Sequence, residues 1–496
     1  MSRSVRNAVR RGFYLDSVAL MRLSREIATH VGVIEAALMM ATPANKAILA
    51  EAGLITREAA EAAGPNDLIL AVCAEAEHSA DAALAAAETL LAQQTRARED
   101  VPRTQRPLSL RTALSVEPDA NLVLISVPGD YAAGEARKAL SRGLDVMIFS
   151  DNVPLAEEVA LKRQAQALGR VVLGPDCGTA IIGGAPLGFA NRVPRGDIGL
   201  IGASGTGLQE VSSLIAAAGR GVSEAIGVGS RDLSLEVGAL ATLAAIDLLD
   251  ADPVTSRIVL ISKPPHAEVV RTVLARVGRS RKRFTLCFLG ATGLELPANA
   301  TAAPTLRAAA EDVLGCAIAA TLQGLPLPRA RAGHILGLYA GGTLAAEAQL
   351  VLIAAGRTVA SNAAVPGAHT LKRAPASADR IIDLGADEFT RGRPHPMIDP
   401  AGRSDELSRA LADQRVAAIL LDVMLGFGAH PEPAGDIAAV VARAPSDHPH
   451  LVASVTGTEA DPQVRSRQVA ALIAAGVLVA GSNAEAAELA LALAAG

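Results

Sequence analysis

A chain of 496 residues, half of them hydrophobic, carries too much apolar material for one core, so three or four domains are expected. Aromatic residues make up 2% of it, Trp is absent and the net charge is −5, which argues against a nucleic-acid surface built from stacking platforms and a basic surplus. The four cysteines, Cys73, Cys177, Cys287 and Cys316, form no CxxC or Cys/His spacing, so neither a disulfide framework nor a metal site is expected, and a reducing compartment follows.

The N-terminal stretch MSRSVRNAVRRGFY is basic but leads into no apolar run, and no segment reaches about 18 consecutive apolar residues. The chain is expected to be cytoplasmic, with no membrane span. Residues 1–94 read as a small α/β unit with a strand at 68–73 and a helix opened by Asn45 and Lys46 after Pro43. The charged, Pro-containing stretch 95–107 reads as a linker. Strands at 122–127 and 145–150 alternate with Ala-rich helices through a second domain, 107–195, as parallel βαβ units do.

A turn, PRGD, opens a third domain, 196–322, with strands at 199–202, 258–262 and 285–289. Its first strand runs into Ser204, Gly205, Thr206 and Gly207 at the head of an amphipathic helix. Glycines let several N–H groups converge at the positive end of the helix dipole, where an anion is stabilised. The alternative is a capped strand-to-helix turn with no ligand. Lys263, in SKPP at the end of the next strand, reads as a charge clamp or as a surface lysine. Arg231 and Asp232 read as an ion pair within their loop.

A second linker, 323–333, leads to a fourth domain, 333–496, with strands at 335–339, 381–384, 419–423 and 451–455. Gly341, Gly342 and Thr343 repeat the Gly-rich helix start, and Gly426, Phe427 and Gly428 follow a later strand. Three such turns are expected to meet around one phosphate. Arg393 and His395, in GRPHP, lie in a loop stiffened by prolines; Arg suits a carboxylate, and His suits a carbonyl oxygen or a proton transfer. Thr456 to Glu459 either line the same cleft or cap a helix. Cys177 reads as a packed residue with no base beside it.

These residues carry a family resemblance. Residues 127–183, including the turn Gly174, Pro175, Asp176 and Cys177, resemble the later half of the CoA-binding domain of the succinyl-CoA synthetase α subunit. Residues 198–289 resemble that subunit's ligase domain, and 334–495 resemble the C-terminal domain of the β subunit. With ATPANKAIL, SKPP, GRPHPMIDP and VTGTEADPQ added, the order resembles FdrA proteins along nearly the whole chain. The resemblance implies an α/β fold of several parallel-sheet domains, Rossmann-like and flavodoxin-like. It also implies a cytoplasmic oxamate carbamoyltransferase subunit of purine (allantoin) catabolism, converting oxalurate and phosphate to oxamate and carbamoyl phosphate with two further, unrelated subunits.

Two departures bear on that expectation. The GHAGA segment of a phosphohistidine relay is replaced by GATGLELPANATAAPTL, which has no histidine, and a Gly-rich CoA loop after the first strand is replaced by Gly12, Phe13, Tyr14, Leu15 and Asp16. No resident cofactor is expected, with phosphate or carbamoyl phosphate as substrate and the binding of CoA left open. The alternatives are a succinyl-CoA synthetase-like CoA ligase and a non-catalytic scaffold that binds an anion. Lys263, Arg393 and His395 are the expected catalytic groups, and the three Gly-rich turns the phosphate-binding ones.

Overall fold

The computed structural model describes residues 3–15, 17–99, 107–321, 327–390 and 394–495. The chain is a mixed α/β protein dominated by parallel sheets, as the alternating pattern predicts. It divides into two compact units, Met1–Glu157 with Ala167–Arg170 and Asp387–Pro394, and Glu158–Gln166 with Val171–Ala386 and His395–Gly496.

The first unit begins with a three-stranded antiparallel sheet. Ser4–Arg10 and Val33–Met40 flank Leu68–Ala74, whose residues LILAVCA are all buried. Such a strand needs cover on both faces. Helices Ser17–Ala28 and Glu77–Glu99 supply Leu20, Leu23, Ile27 and Leu91 on one side; Leu49, Leu54 and Ala63 cover the other. The pairing is antiparallel, unlike the parallel βαβ pattern in which a Gly-rich loop follows the first strand. Gly12 to Leu15 follow an antiparallel strand, so the presence of only one glycine there records no erosion of a phosphate loop. Further along, Leu122–Ile125 pairs in parallel with Asp145–Ile148 around helix Gly129–Leu140.

The second unit contains two seven-stranded sheets. In spatial order the first runs Ala300–Ala302, Arg283–Phe288, Arg257–Ser262, Arg195–Gly202, Val222–Gly227, Thr179–Ile182 and Ala185–Gly188. Its last two strands are an antiparallel hairpin from residues assigned by sequence to the preceding domain, so the boundary drawn at 195 falls inside a sheet. The second sheet is parallel throughout, in the order His369–Thr370, Val359–Ser361, Asp379–Asp383, His334–Tyr339, Val416–Met424, His450–Thr456 and Leu478–Ala480.

One core joins the two sheets, with Ile198, Leu200 and Leu208 in the same cluster as Tyr339, Leu344, Leu352 and Leu493. Helix Gly342–Ala354 (GTLAAEAQLVLIA) is apolar on nearly every face, the composition of a helix enclosed by protein rather than lying on a surface. Both linker expectations are narrowed. Residues 95–99 continue helix Glu77–Glu99, and Arg331–Ala332 pairs as a short strand with Ala494–Ala495; residues 100–106 and 322–326 lie outside the described residues. Among the described residues no helix is long and apolar enough to cross a membrane.

Candidate active site

The strand Arg195–Gly202 delivers Ser204 in an extended conformation, and its hydroxyl accepts the Gly207 N–H at 2.9 Å to cap helix Gly205–Ala217. The strand His334–Tyr339 delivers Gly341 to the head of helix Gly342–Ala354 in the same way. The two helix starts meet. Ser204 Oγ lies 2.5 Å from Thr343 Oγ1, and a Cβ on Gly341 would stand 3.1 Å from the Thr206 side chain. The starts of the two helices therefore stand side by side, with the hydroxyls of Ser204 and Thr343 bonded to each other between them. Thr179 adds a third hydroxyl, its Oγ1 being 2.9 Å from where a Gly205 Cβ would sit.

The two helix ends differ in their acids. At the second, Asp422 accepts the Ala340 N–H at 2.7 Å and the Gly341 N–H at 2.6 Å. Asp422 is fully buried, and burial pushes its carboxyl upward while the Arg403 guanidinium and these N–H groups pull it down. Arg403 donates to the Asp422 carbonyl at 2.6 Å and lies 3.3 Å from its carboxylate. Asp383, 5% exposed, places Oδ2 2.5 Å from the position of a Gly342 Cβ, and Lys263 Nζ lies 3.1 Å from the same point.

His395 joins this end. Its Nε2 lies 2.7 Å from the position of a Gly385 Cβ, a point that is itself 3.2 Å from Asp383 Oδ1, and its ring centroid is 6.4 Å from that of Phe189. Nδ1 accepts the Met397 N–H at 3.2 Å, so the neutral ring carries its proton on Nε2. Desolvation lowers its pKa to about 4, which keeps it neutral near pH 7.

The structure thus gathers Lys263, His395, Ser204 to Gly207 and Gly341 to Thr343 from both sheets. Arg393 lies outside the described residues. The third turn is built differently from the expectation. Gly426 donates to Gln463 Oε1 at 3.0 Å and Phe427 to the Ala190 carbonyl at 3.1 Å, so those N–H groups already serve protein acceptors. Gly426 has φ +115°, and a Cβ there would come within 2.7 Å of the Ala190 oxygen, while Arg192 stacks on Phe427 at 5.5 Å. The turn clamps the segment around 188–192.

Other candidates have structural tasks. Thr456 donates to Glu210, Thr458 Oγ1 donates to the Arg192 carbonyl at 2.7 Å, and Glu459 accepts from Ser466. Cys177 is buried and its thiol pushed up to about 12 by desolvation, the state of an inert packed residue. Lys46 donates to the carbonyls of Ala60 and Ala63, and Asn45 to Met40. The ion pairs of Arg231 and Asp232 reach beyond their loop, to Glu158 at 2.9 Å and Lys162 at 2.7 Å.

Sequence reasoning passed over the buried acids. Glu347 accepts Leu306 N at 2.6 Å and Asn483 Nδ2 at 2.7 Å, and Glu210 accepts Asn483 N at 3.0 Å. Burial, reinforced by the Glu210 charge, raises Glu347 to about 7. A signal was present: Glu347 and Asp422 are lone acids inside apolar runs, where a charge is rarely enclosed unless it is paired.

The chain is 39% identical over 501 aligned residues to YahF of Escherichia coli, covering 97% of this chain and 96% of that one. The chain belongs to the YahF family. The YahF match and the domain matches fit the FdrA-like, succinyl-CoA synthetase-like group to which the motifs point. Residues 1–107 match the heavy metal-associated domain of AllF, and 338–493 match the CoA-ligase family. Other relatives of the YahF-family chain are the sulfoacetate-CoA ligase subunit SauD of Bilophila wadsworthia (27% identity) and a succinate–CoA ligase α subunit of Methanothermobacter thermautotrophicus (26% identity). These matches cover 31% and 30% of the chain, which spans about half the length of both proteins, 54% and 50%.

A heavy metal-associated domain raises the question of a metal. In residues 1–107 the one cysteine is Cys73, buried in the central strand, and among the described residues no group of three His, Cys, Asp or Glu side chains is arranged to hold an ion. Soft metals require several thiolate or imidazole ligands, so these residues do not fit one.

Proposed function

We propose that this chain is the acyl-transferring subunit of a CoA-ligase-type enzyme and holds an acyl phosphate between the starts of helices Gly205–Ala217 and Gly342–Ala354. The observation that carries this reading is the 2.5 Å contact of Ser204 with Thr343, which aims two helix N-termini at one place. An acyl phosphate needs N–H donors for its phosphoryl oxygens and a further donor at its carbonyl, where charge develops on attack. Gly205 and Thr206 offer the first, Lys263 and the Nε2–H of His395 the second. The CoA-ligase match and the succinate–CoA ligase relatives support the class.

A second reading rests on the histidine-free segment GATGLELPANATAAPTL, which favours chemistry without a phosphohistidine. In it, a phosphate oxygen attacks the ureido carbonyl of oxalurate, the C–N bond breaks, and the departing nitrogen takes a proton, giving carbamoyl phosphate and oxamate. We assign the missing groups of that reaction to two partner subunits. Full-length protein, alone and with its neighbours in the cell, is to be assayed for ATP-independent phosphorolysis of oxalurate and for ATP- and CoA-dependent thioester formation from carboxylates. Thioester formation selects the first reading and phosphorolysis the second; inorganic phosphate that fails to bind, followed by ³¹P NMR, sinks both.

A further inference from the structure

The N–H groups of Gly426 and Phe427 serve protein acceptors, but Gly428 has a separate task in the third Gly-rich turn. It makes room for Phe189. That residue follows the hairpin strand Ala185–Gly188 and donates its N–H to the Gly178 carbonyl at 2.8 Å. The next two residues are held from the other side: the Ala190 carbonyl accepts the Phe427 N–H at 3.1 Å, and Asn191 Nδ2 donates to the Leu425 carbonyl at 3.0 Å and to Asp461 at 2.8 Å. The Phe189 ring then lies against two glycines. A Cβ on Gly428 would come within 2.9 Å of its Cδ1 and 3.0 Å of its Cε1, and one on Gly178 would touch its Cδ2 at 3.8 Å. Gly428 also has φ +79°, so both space and backbone call for glycine there.

From this seat Phe189 meets His395, the ring centroids 6.4 Å apart and the planes tilted by 33°, within the range of aromatic pairs. The loop of His395 fixes its backbone, since its carbonyl accepts the Ile398 N–H at 2.8 Å and the Asp399 N–H at 3.0 Å. The charged and titratable groups around the imidazole, among the described residues, are Asp383 across Gly385, Lys263 beside Asp383, Asp399 on the same loop, and His430, whose N–H binds the Met397 carbonyl at 2.8 Å. Desolvation, and none of these charges, holds the ring neutral near pH 7. We infer that Phe189, seated by Gly178 and Gly428, is a positioning residue for His395, shielding the imidazole from water and keeping it a neutral Nε2–H donor. The use of that donor at a ligand carbonyl rests on the acyl-phosphate reading. The seat does not, because it is read on the imidazole itself.

The test follows the imidazole ¹⁵N resonances of the full chain by NMR between pH 5 and pH 8, with His395→Gln identifying the signal of His395. In wild type the ring should stay neutral throughout. Phe189→Ala admits water and should bring the titration midpoint into that window, toward the ordinary value of 6.5, whereas Phe189→Leu keeps an apolar cover and should leave the ring neutral. Gly428→Ala drives a methyl into the Phe189 ring and should act like Phe189→Ala; it reads the same exposure should the Ala variant of Phe189 fail to fold. The double variant Phe189→Ala/Gly428→Ala should shift the midpoint no further than Phe189→Ala does, since the glycine acts through the ring. A wild-type His395 that titrates near 6.5, a ring still neutral at pH 5 in Phe189→Ala, or a Leu variant that titrates as the Ala variant does overturns the assignment. No ligand enters the measurement, so failure of the acyl-phosphate reading, seen as absent phosphate binding, is told apart from failure of the seat.

Discussion

The hydroxyl oxygens of Ser204 and Thr343 lie 2.5 Å apart although 139 residues separate them in sequence. That contact joins the two seven-stranded sheets at the C-terminal ends of parallel strands, where open α/β folds place ligands. It gives the glycines around it a measurable role.

Gly342→Val should weaken phosphate binding, because its Cβ would stand 2.5 Å from Asp383 Oδ2 and 3.1 Å from the Lys263 nitrogen and would displace both side chains. Gly205→Val meets Thr179 Oγ1 at 2.9 Å and should weaken binding by about tenfold or more, the effect of losing one charge-assisted hydrogen bond. Titration of inorganic phosphate into both variants checks this, and unchanged affinities would remove the phosphate from this place.

Glu347 makes the fold sensitive to pH. Its folded-state pKa of about 7 lies above the ordinary glutamate value of 4.5, so the folded chain binds the extra proton between those pH values. Stability from this group is present at pH 4.5 and lost as pH rises to 7, on the order of 3 kcal/mol in total. Urea unfolding at pH 5, 6, 7 and 8 should show wild type losing ground relative to Glu347→Gln as pH increases. Parallel pH dependences in the two proteins would contradict the shift.

Removal of Arg403 should destabilise strongly. Arg403→Met leaves the Asp422 carboxylate buried without its cation, a change that costs about 3–5 kcal/mol. The double variant Arg403→Met/Asp422→Asn should recover part of the loss in the same denaturant assay, since it removes the uncompensated charge as well.

Thiol labelling separates the cysteines. Cys73, Cys177 and Cys287 are buried, with burial raising the thiols of Cys177 and Cys287, whereas Cys316 is exposed. Native protein treated with an aromatic disulfide reagent should label Cys316 quickly and the other three only on unfolding. Rapid loss of a second thiol would place one of them at the surface.

The parts of this site that were legible in the sequence are local. An apolar run ending in Gly, Ser or Thr before an amphipathic stretch marks a strand, a turn and a helix N-terminus, and 199–215 and 335–354 fold accordingly. Gly426 to Gly428 carry the same local signal but a different task, because the identity of their acceptors, Gln463 and Ala190, depends on chain far away. Asp383 gives no local sign of its role beside Gly342 and Lys263, which come from three separate strand ends. Ser4–Arg10 (SVRNAVR) was missed because its charges interrupt the apolar run that identifies parallel strands; they suit an edge strand half open to water.

Glu210 accepts hydrogen bonds from Thr456 and Asn483, and Asn483 in turn binds Glu347, so side chains of the first sheet's helix are anchored inside the second sheet's domain. Both halves of the proposed cradle belong to one polypeptide, and their encounter is unimolecular. Dilution that would separate two subunits leaves this pair of helix ends together, so their occupancy by a ligand should depend on ligand concentration alone and not on the concentration of protein.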